Sequence, residues 1–191
     1  TVPTVTKVSL SGMSNGTEDL YKFTVAANSK GDVGFAKATF AVSTTTATIT
    51  NFMFYEIYGG AETNLTNTAL TNNFEGLTQG SDGKNGKFAV NVTFTTASAL
   101  GKELTTIGAG ESKTYVLRGD VTGWTTGSSI QIQMLGDNAA PTVADFDTVD
   151  TAASDNFIWS DLFLGYATVT ATGANEWTNG YKVFATSSQS F

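Results

Sequence analysis

The stretch KFAVNVTF at residues 87–94 alternates large apolar residues with small or polar ones. The stretch SIQIQM at residues 129–134 shows the same two-residue period. Successive side chains of a β-strand point to opposite faces, so both stretches predict strands that bury one face.

Weaker alternation of the same kind recurs along the chain, in residues 5–10, 20–26, 35–42, 46–58, 114–121, 156–164, 167–172 and 181–185. Turn signals such as Gly59-Gly60 and Asn85-Gly86 separate these stretches. We predict an all-β protein, an immunoglobulin-like or jelly-roll-like β-sandwich of about ten strands. Residues 61–76 favour a loop or a short helical turn, and residues 1–191 are assigned to a single domain.

Composition excludes several function classes. The chain has 191 residues, with 33 Thr and 15 Ser but neither Cys nor His. Thiolate nucleophiles, most zinc sites and the commonest neutral-pH acid/base are therefore absent. No set of carboxylate, Lys or Tyr residues forms a catalytic motif, so we predict no enzyme and no catalytic residue. The net charge of −7 argues against nucleic acid as a partner.

Thr takes the place of charged residues, which make up only 14% of the chain. Thr is β-branched and suits the exposed face of a sheet. A Cys-free, Thr-rich composition fits an exported prokaryotic protein, so we expect an extracellular or cell-surface location. No stretch has the length and apolarity to span a membrane. Because position 1 is Thr, we interpret it as the start of a processed chain or a fragment.

Three phrases carry a resemblance: EDLYKFTVAANSKGDVGFAKATFAVSTTTATITNFMFY (residues 18–55), ESKTYVLRGDVTGWTTGSSIQIQMLGD (residues 111–137), and NFIWSDL followed by EWTNGYKV (residues 156–162 and 176–183). Together they resemble β-rich modules of large secreted or surface proteins from uncultured bacteria of the candidate phyla radiation (Patescibacteria). The resemblance implies an extracellular β-sandwich at a cell surface and implies no activity.

An acidic connection gives a candidate metal site. Asp145 and Asp147 share one face if that segment is extended, and Asp150 adds a third carboxylate. Ca²⁺ prefers six to eight oxygen ligands, so calcium is the cofactor to consider, although the spacing does not match an EF-hand. The alternative is a solvated acidic loop without metal, in which case the chain has no cofactor.

Glycans are considered both as modifications of the chain and as ligands. Asn15, Asn64 and Asn91 each begin an Asn-X-Thr sequon and are candidate glycosylation sites. Surface glycans are also candidate ligands, since aromatic faces stack on sugar rings. Trp159 sits in an apolar run that favours the core, whereas Trp124 in a glycine-rich segment is the expected exposed ring.

The first ten residues form an extended segment with apolar positions at Val2, Val5, Val8 and Leu10. It pairs either within its own domain or with a neighbouring copy, as a donor strand in a homopolymer. Our first interpretation is therefore a structural subunit of a pilus-like surface filament or a surface layer. The alternative is a carbohydrate-binding or adhesive module of a larger protein. A Lys-to-Asn or Lys-to-Asp isopeptide crosslink from Lys7 or Lys22 is a further hypothesis.

Overall fold

The computed structural model describes residues 2–65, 70–71, 84–94, 106–137, 156–162 and 182–191. Its strands are β1 (Thr4–Val8), β2 (Gly16–Ala26), β3 (Val33–Tyr58), β4 (Ala61–Asn64), β5 (Leu70–Thr71), β6 (Lys84–Phe94), β7 (Thr106–Ile107), β8 (Ser112–Thr122), β9 (Ser129–Met134), β10 (Phe157–Ser160) and β11 (Gln189–Ser190). Every pairing among them is antiparallel. The all-β prediction is confirmed.

β3 organises the fold. Its first half pairs with β6 and β7 on one side and with β9 and β10 on the other. Its second half pairs instead with β8 and β4. Between the halves, Thr46 has a φ of 63°, and the register with β6 shifts between Thr44 and Ile49. A strand that bends in this way passes from one sheet to the next at a corner of a sandwich.

Two layers follow from this bend. One contains β1, β2, β8, the second half of β3 and β4, in that order; the other contains β5, β6, the first half of β3, β9 and β11. Phe23 on β2 meets Phe35 and Phe40 of the opposite layer, with ring centroids 6.2 and 6.0 Å apart. Tyr115 on β8 meets Phe35 at 5.1 Å. The predicted sandwich core is thus an aromatic cluster between the layers.

Thr occupies outward positions, as its β-branched shape favours. Thr6 on β1 lies opposite Thr24 on β2, which lies opposite Thr114 on β8. The Thr24 and Thr114 hydroxyl oxygens are 3.1 Å apart. A row of hydroxyl groups therefore crosses three strands where charged residues are more usual.

Several boundaries differ from expectation. Residues 35–42 and 46–58 belong to one strand, and residues 61–64, expected as a loop or helical turn, form β4. The segment predicted as a strand at 181–185 has none over residues 182–185, and Lys182 within it adopts a φ of 82°. The predicted strand at 167–172 lies outside the described residues. Over the described ranges there is no helix with the length and apolarity needed to cross a membrane.

Candidate functional site

β1 is the edge strand of its layer. Within the described part of the chain it pairs only with β2, in a register that places Val5 opposite Val25 and Val8 opposite Lys22. Of the two alternatives for this segment, the single chain shows pairing within its own domain. Pro3 precedes the strand and has no N–H to donate, which is typical of an edge position.

Few side chains hold β1 in place. None of its five residues is fully buried, and Val5 packs only against the margin of the core. The other predicted donor positions follow the same trend, because Val2 is exposed and Val8 and Leu10 are half-buried. β2, in contrast, buries four large side chains. These are Leu20, Tyr21, Phe23 and Val25. Removing β1 from the sheet would therefore uncover little apolar surface.

Residues 182–191 lie beside the end of β1. The Lys7 ammonium donates to the Ser188 carbonyl at 2.8 Å. The Gln189 side chain accepts from the Leu10 N–H at 3.1 Å and donates to the Leu10 carbonyl at 3.0 Å. Gln189 also pairs with β9 through its main chain. This segment therefore joins the margin of one layer to the margin of the other.

The predicted calcium ligands Asp145, Asp147 and Asp150 lie outside the described residues. Within the described ranges, no cluster of three or more Asp, Glu, His or Cys side chains has the arrangement of a metal site. The calcium hypothesis therefore stays a prediction.

The three sequons differ in access. Asn15 and Asn64 are exposed, whereas Asn91 on β6 is 3% exposed. The Asn15 amide also donates to the Trp124 carbonyl at 3.0 Å and accepts from the Trp124 N–H at 2.8 Å. Burial counts against Asn91 as an acceptor in the folded chain, because an enzyme cannot reach its amide.

The tryptophans give no sugar platform in the described residues. Trp159 is buried in the core, as its apolar surroundings predicted. Trp124, expected to be exposed, is half-buried and packs against the core margin. Glycan binding therefore stays a prediction without a described site.

A charged cluster lies on the outer face of the first layer. Arg118 on β8 donates from Nε to Asp19 at 2.6 Å and from both terminal nitrogens to Glu62 at 2.8 and 3.1 Å. Its guanidinium also lies over the Tyr55 ring, 4.2 Å from the centroid. Hydrogen bonding to Arg118 lowers the pKa of Glu62. These contacts connect four neighbouring strands and serve their cohesion.

A second charged pair is buried at one end of the core. Lys113 on β8 donates to both carboxylate oxygens of Glu56 on β3, at 3.2 and 3.1 Å. Burial raises the pKa of Glu56, while the Lys113 charge opposes that rise. Burial and the nearby Glu56 also raise the pKa of Tyr115. A buried pair of this kind matters for stability and gives no sign of a catalytic role. Removing either residue would leave the other charge buried and uncompensated.

A third polar group is buried on the second layer. Lys37 on β3 is 0% exposed, Asp137 after β9 is 1% exposed, and Asn156 before β10 is 2% exposed. The Asp137 carboxylate accepts from the Asn156 N–H at 2.8 Å and from the Phe157 N–H at 2.7 Å. Burial raises the pKa of Asp137, while these hydrogen bonds and the Lys37 charge oppose the rise.

Sequence reasoning missed this group. The signal available was Lys37 inside the apolar run GFAKATFAV, where a charged residue occupies the middle of a predicted strand. The proximity of Lys37, Asp137 and Asn156 depends on β9 and β10 lying end to end along β3, which no local pattern encodes.

Comparison with known proteins adds little. No protein-family model matches the chain, and no curated protein matches it. Among solved structures, it is similar to AvmM, which catalyses macrocyclisation in alchivemycin A biosynthesis, with a TM-score of 0.31 and 10% identity over 70% of this chain and 72% of that one.

Two further solved structures are similar at the same level. One is ACE19, the collagen-binding subdomain of the Enterococcus faecalis surface protein ACE, with a TM-score of 0.28 and 10% identity over 69% of this chain and 84% of that one. The other is the T6 backbone pilin of serotype M6 Streptococcus pyogenes, with a TM-score of 0.29 and 14% identity over 100% of this chain and 35% of that one. Scores this low support no inference about function.

Proposed function

We propose that this protein is an extracellular structural module of a prokaryotic cell surface, which assembles with copies of itself by exchanging β1. The exchanged strand would leave its own β2 and pair with the β2 of a neighbouring copy. Such an exchange preserves every contact that β1 makes within one chain, so its net cost in free energy is small.

The observation that carries this proposal is the weak anchoring of an edge strand. β1 adds main-chain hydrogen bonds to β2 but no fully buried side chain. Main-chain pairing supplies affinity in strand addition, and side-chain pockets supply specificity. Val5 is the one β1 side chain packed on the core margin, so it is the residue we expect to set the register.

The connection after β1 permits the exchange. Residues 9–15 separate β1 from β2, and Gly12 within them has a φ of 78°. A positive φ at glycine costs little, so this connection can extend without steric penalty. Thr6, Thr24 and Thr114 form an uncharged row on the outer face of the first layer, beside the Arg118 cluster, and copies can approach closely along that row.

An introduced disulfide tests the exchange directly, because the natural chain contains no Cys. Thr6→Cys and Thr24→Cys together place two thiols at paired positions across β1 and β2. If β1 is exchanged, oxidation links successive chains, and a non-reducing gel shows a ladder of covalent oligomers. Oxidised chains that run only as monomers would overturn the proposal.

A matched control uses the next strand pair. Thr24→Cys and Thr114→Cys join β2 to β8, whose hydroxyl oxygens already lie 3.1 Å apart in the natural chain. Because β8 is central in its layer, this disulfide should form within one chain and give monomers only. A ladder from both variants would indicate random oxidation between surfaces, which also overturns β1 exchange.

A further inference from the structure

Lys37, Asp137 and Asn156 meet on the face of the second layer that points away from the aromatic core. Phe157 of β10 stacks on Phe35 inside the core, with ring centroids 5.0 Å apart. Side chains alternate along a strand, so Asn156 points to the opposite face. Lys37 shares that face, because its neighbour Ala38 belongs to the core and is paired with Phe157.

The register brings the lysine and the amide together. Lys37 lies opposite Ile158, and the Thr39 N–H donates to the Asn156 carbonyl at 2.8 Å. Lys37 and Asn156 are thus diagonal neighbours across β3 and β10, a relation that separates Cα atoms by about 7–8 Å. A lysine side chain readily spans that distance.

The carboxyl group completes the arrangement. The main-chain N–H groups of Asn156 and Phe157 each donate to the Asp137 carboxylate, which also accepts from the Asn156 side chain and interacts with the Lys37 charge. All three side chains are almost completely excluded from water. Burial raises the pKa of Asp137, which favours the neutral acid that can give a proton to the leaving group.

We propose that Lys37 and Asn156 form an intramolecular isopeptide bond, with Asp137 as the proton-transfer catalyst. A proton passes first from the Lys37 ammonium to the Asp137 carboxylate. The neutral Nζ then attacks Cγ of Asn156, and the new Nζ–Cγ bond forms. Asp137 gives its proton to Nδ2 of Asn156 and takes one from Nζ. The Cγ–Nδ2 bond breaks, ammonia leaves, and no other reactant is consumed.

The crosslink would join β10 covalently to β3, and so goes beyond the proposed assembly. The chain has no cysteine, so disulfides cannot serve this purpose. The two lysines considered from sequence fit less well: Lys7 is half-buried and donates to the Ser188 carbonyl, and Lys22 is half-buried on the outer face of the other layer.

Asn91 is the competing acceptor. Asn91 on β6 lies opposite Thr39 on β3, and Thr93 on β6 lies opposite Lys37. Asn91 is therefore also a diagonal neighbour of Lys37. The Asp137 carboxylate accepts from both the main-chain N–H and the side chain of Asn156, and the side-chain contact selects Asn156 as the acceptor. The experiment must therefore identify the acceptor as well as the bond.

The test is the intact mass of the purified natural chain under denaturing conditions. We expect a mass lower than the sequence mass by one ammonia, and fragmentation that identifies linked peptides containing Lys37 and Asn156. Trypsin should fail to cleave after Lys37. A mass equal to that of the sequence would overturn the proposal and leave a buried ion pair. Linkage of Lys37 to Asn91 would overturn the choice of acceptor.

Variants distinguish isopeptide formation from other reactions that release ammonia. Asn-Gly sequences such as Asn85-Gly86 lose ammonia by forming succinimide, which hydrolyses at alkaline pH, whereas an isopeptide bond persists. Lys37→Met and Asp137→Ala should each restore the sequence mass. Lys113→Met, which alters another buried lysine, should still show a mass lower by one ammonia. A loss that survives Lys37→Met would contradict the proposal. Peptide linkage in the natural chain decides the matter even if a variant fails to fold.

Discussion

Phe23 is the centre of the aromatic core. Its ring lies within 6.3 Å, centroid to centroid, of Tyr21, Phe35, Phe40, Phe54 and Tyr115. Its partners come from both layers, so this side chain joins the two sheets. The alternation in residues 20–26 predicted a strand there, and β2 confirms it. The alternation did not identify which rings meet, because that depends on the bend in β3.

Phe23→Ala should lower the free energy of unfolding by about 3–5 kcal/mol, since it removes buried area and leaves a cavity. Phe184→Ala is the matched control, because Phe184 is 71% exposed, and we expect a change within about 0.5 kcal/mol. Urea denaturation of both variants measures the difference. Similar losses for the two variants would contradict the described core.

Glu56 makes stability depend on pH. Its pKa is raised from the ordinary 4.5 by burial, so the folded chain retains this proton to a higher pH than the unfolded chain does. The folded state then binds more protons, and the free energy of unfolding falls as pH rises from about 4.5 through the raised pKa. Glu56→Gln should remove this decrease, as measured by denaturation at a series of pH values.

Glu62 gives the contrasting control. Its pKa is lowered by Arg118, so its contribution to stability is present above the ordinary value and is lost as pH falls through the lowered pKa. Glu62→Gln should leave the Glu56-dependent decrease intact. An unchanged pH profile in Glu56→Gln would show that Glu56 has no raised pKa in the folded chain.

At the scale of elements, β3 shows what a local pattern can and cannot predict. Its two halves were predicted as separate strands, at residues 35–42 and 46–58. The structure keeps one continuous strand, in which Thr46 takes a positive φ that β-branched residues rarely adopt. Its hydroxyl lies 2.7 Å from the Ser128 hydroxyl, a contact from outside the strand. Tertiary contacts of this kind are not visible in a sequence window.

The segment of residues 183–191 depends on Gly136. A Cβ at Gly136 would overlap the Phe184 carbonyl carbon and the Ala185 nitrogen, so the backbone there must move. Gly136→Ala should cost about 1–3 kcal/mol by overpacking. It should also expose the Thr186 N–H, which donates to Met134, to amide hydrogen exchange.

Gly108→Ala is the matched control for this substitution. The added methyl there approaches only the Glu111 side chain, whose carboxylate end can rotate away. We expect little change in stability and unchanged exchange at Thr186. If Gly136→Ala leaves exchange at Thr186 unchanged as well, the segment does not pack against Gly136.

At the scale of the whole molecule, the weakly anchored edge strand and the uncharged row of Thr6, Thr24 and Thr114 both favour assembly with other copies. β1 is held mainly by its main chain, and the outer face of its layer presents a row of Thr beside the charged cluster around Arg118. Sequence reasoning identified residues 1–10 as an extended segment from its apolar positions. It did not locate Lys37, Asp137 and Asn156, because their meeting depends on the order of strands along β3.

The central claim is that the chain assembles with copies of itself through β1. Negative-stain electron microscopy of the purified chain at high concentration, beside a variant that lacks residues 1–10, tests it most directly. We predict ordered filaments or layers from the intact chain and none from the deletion variant. Monodisperse single particles from the intact chain at the highest concentration reached would contradict the claim.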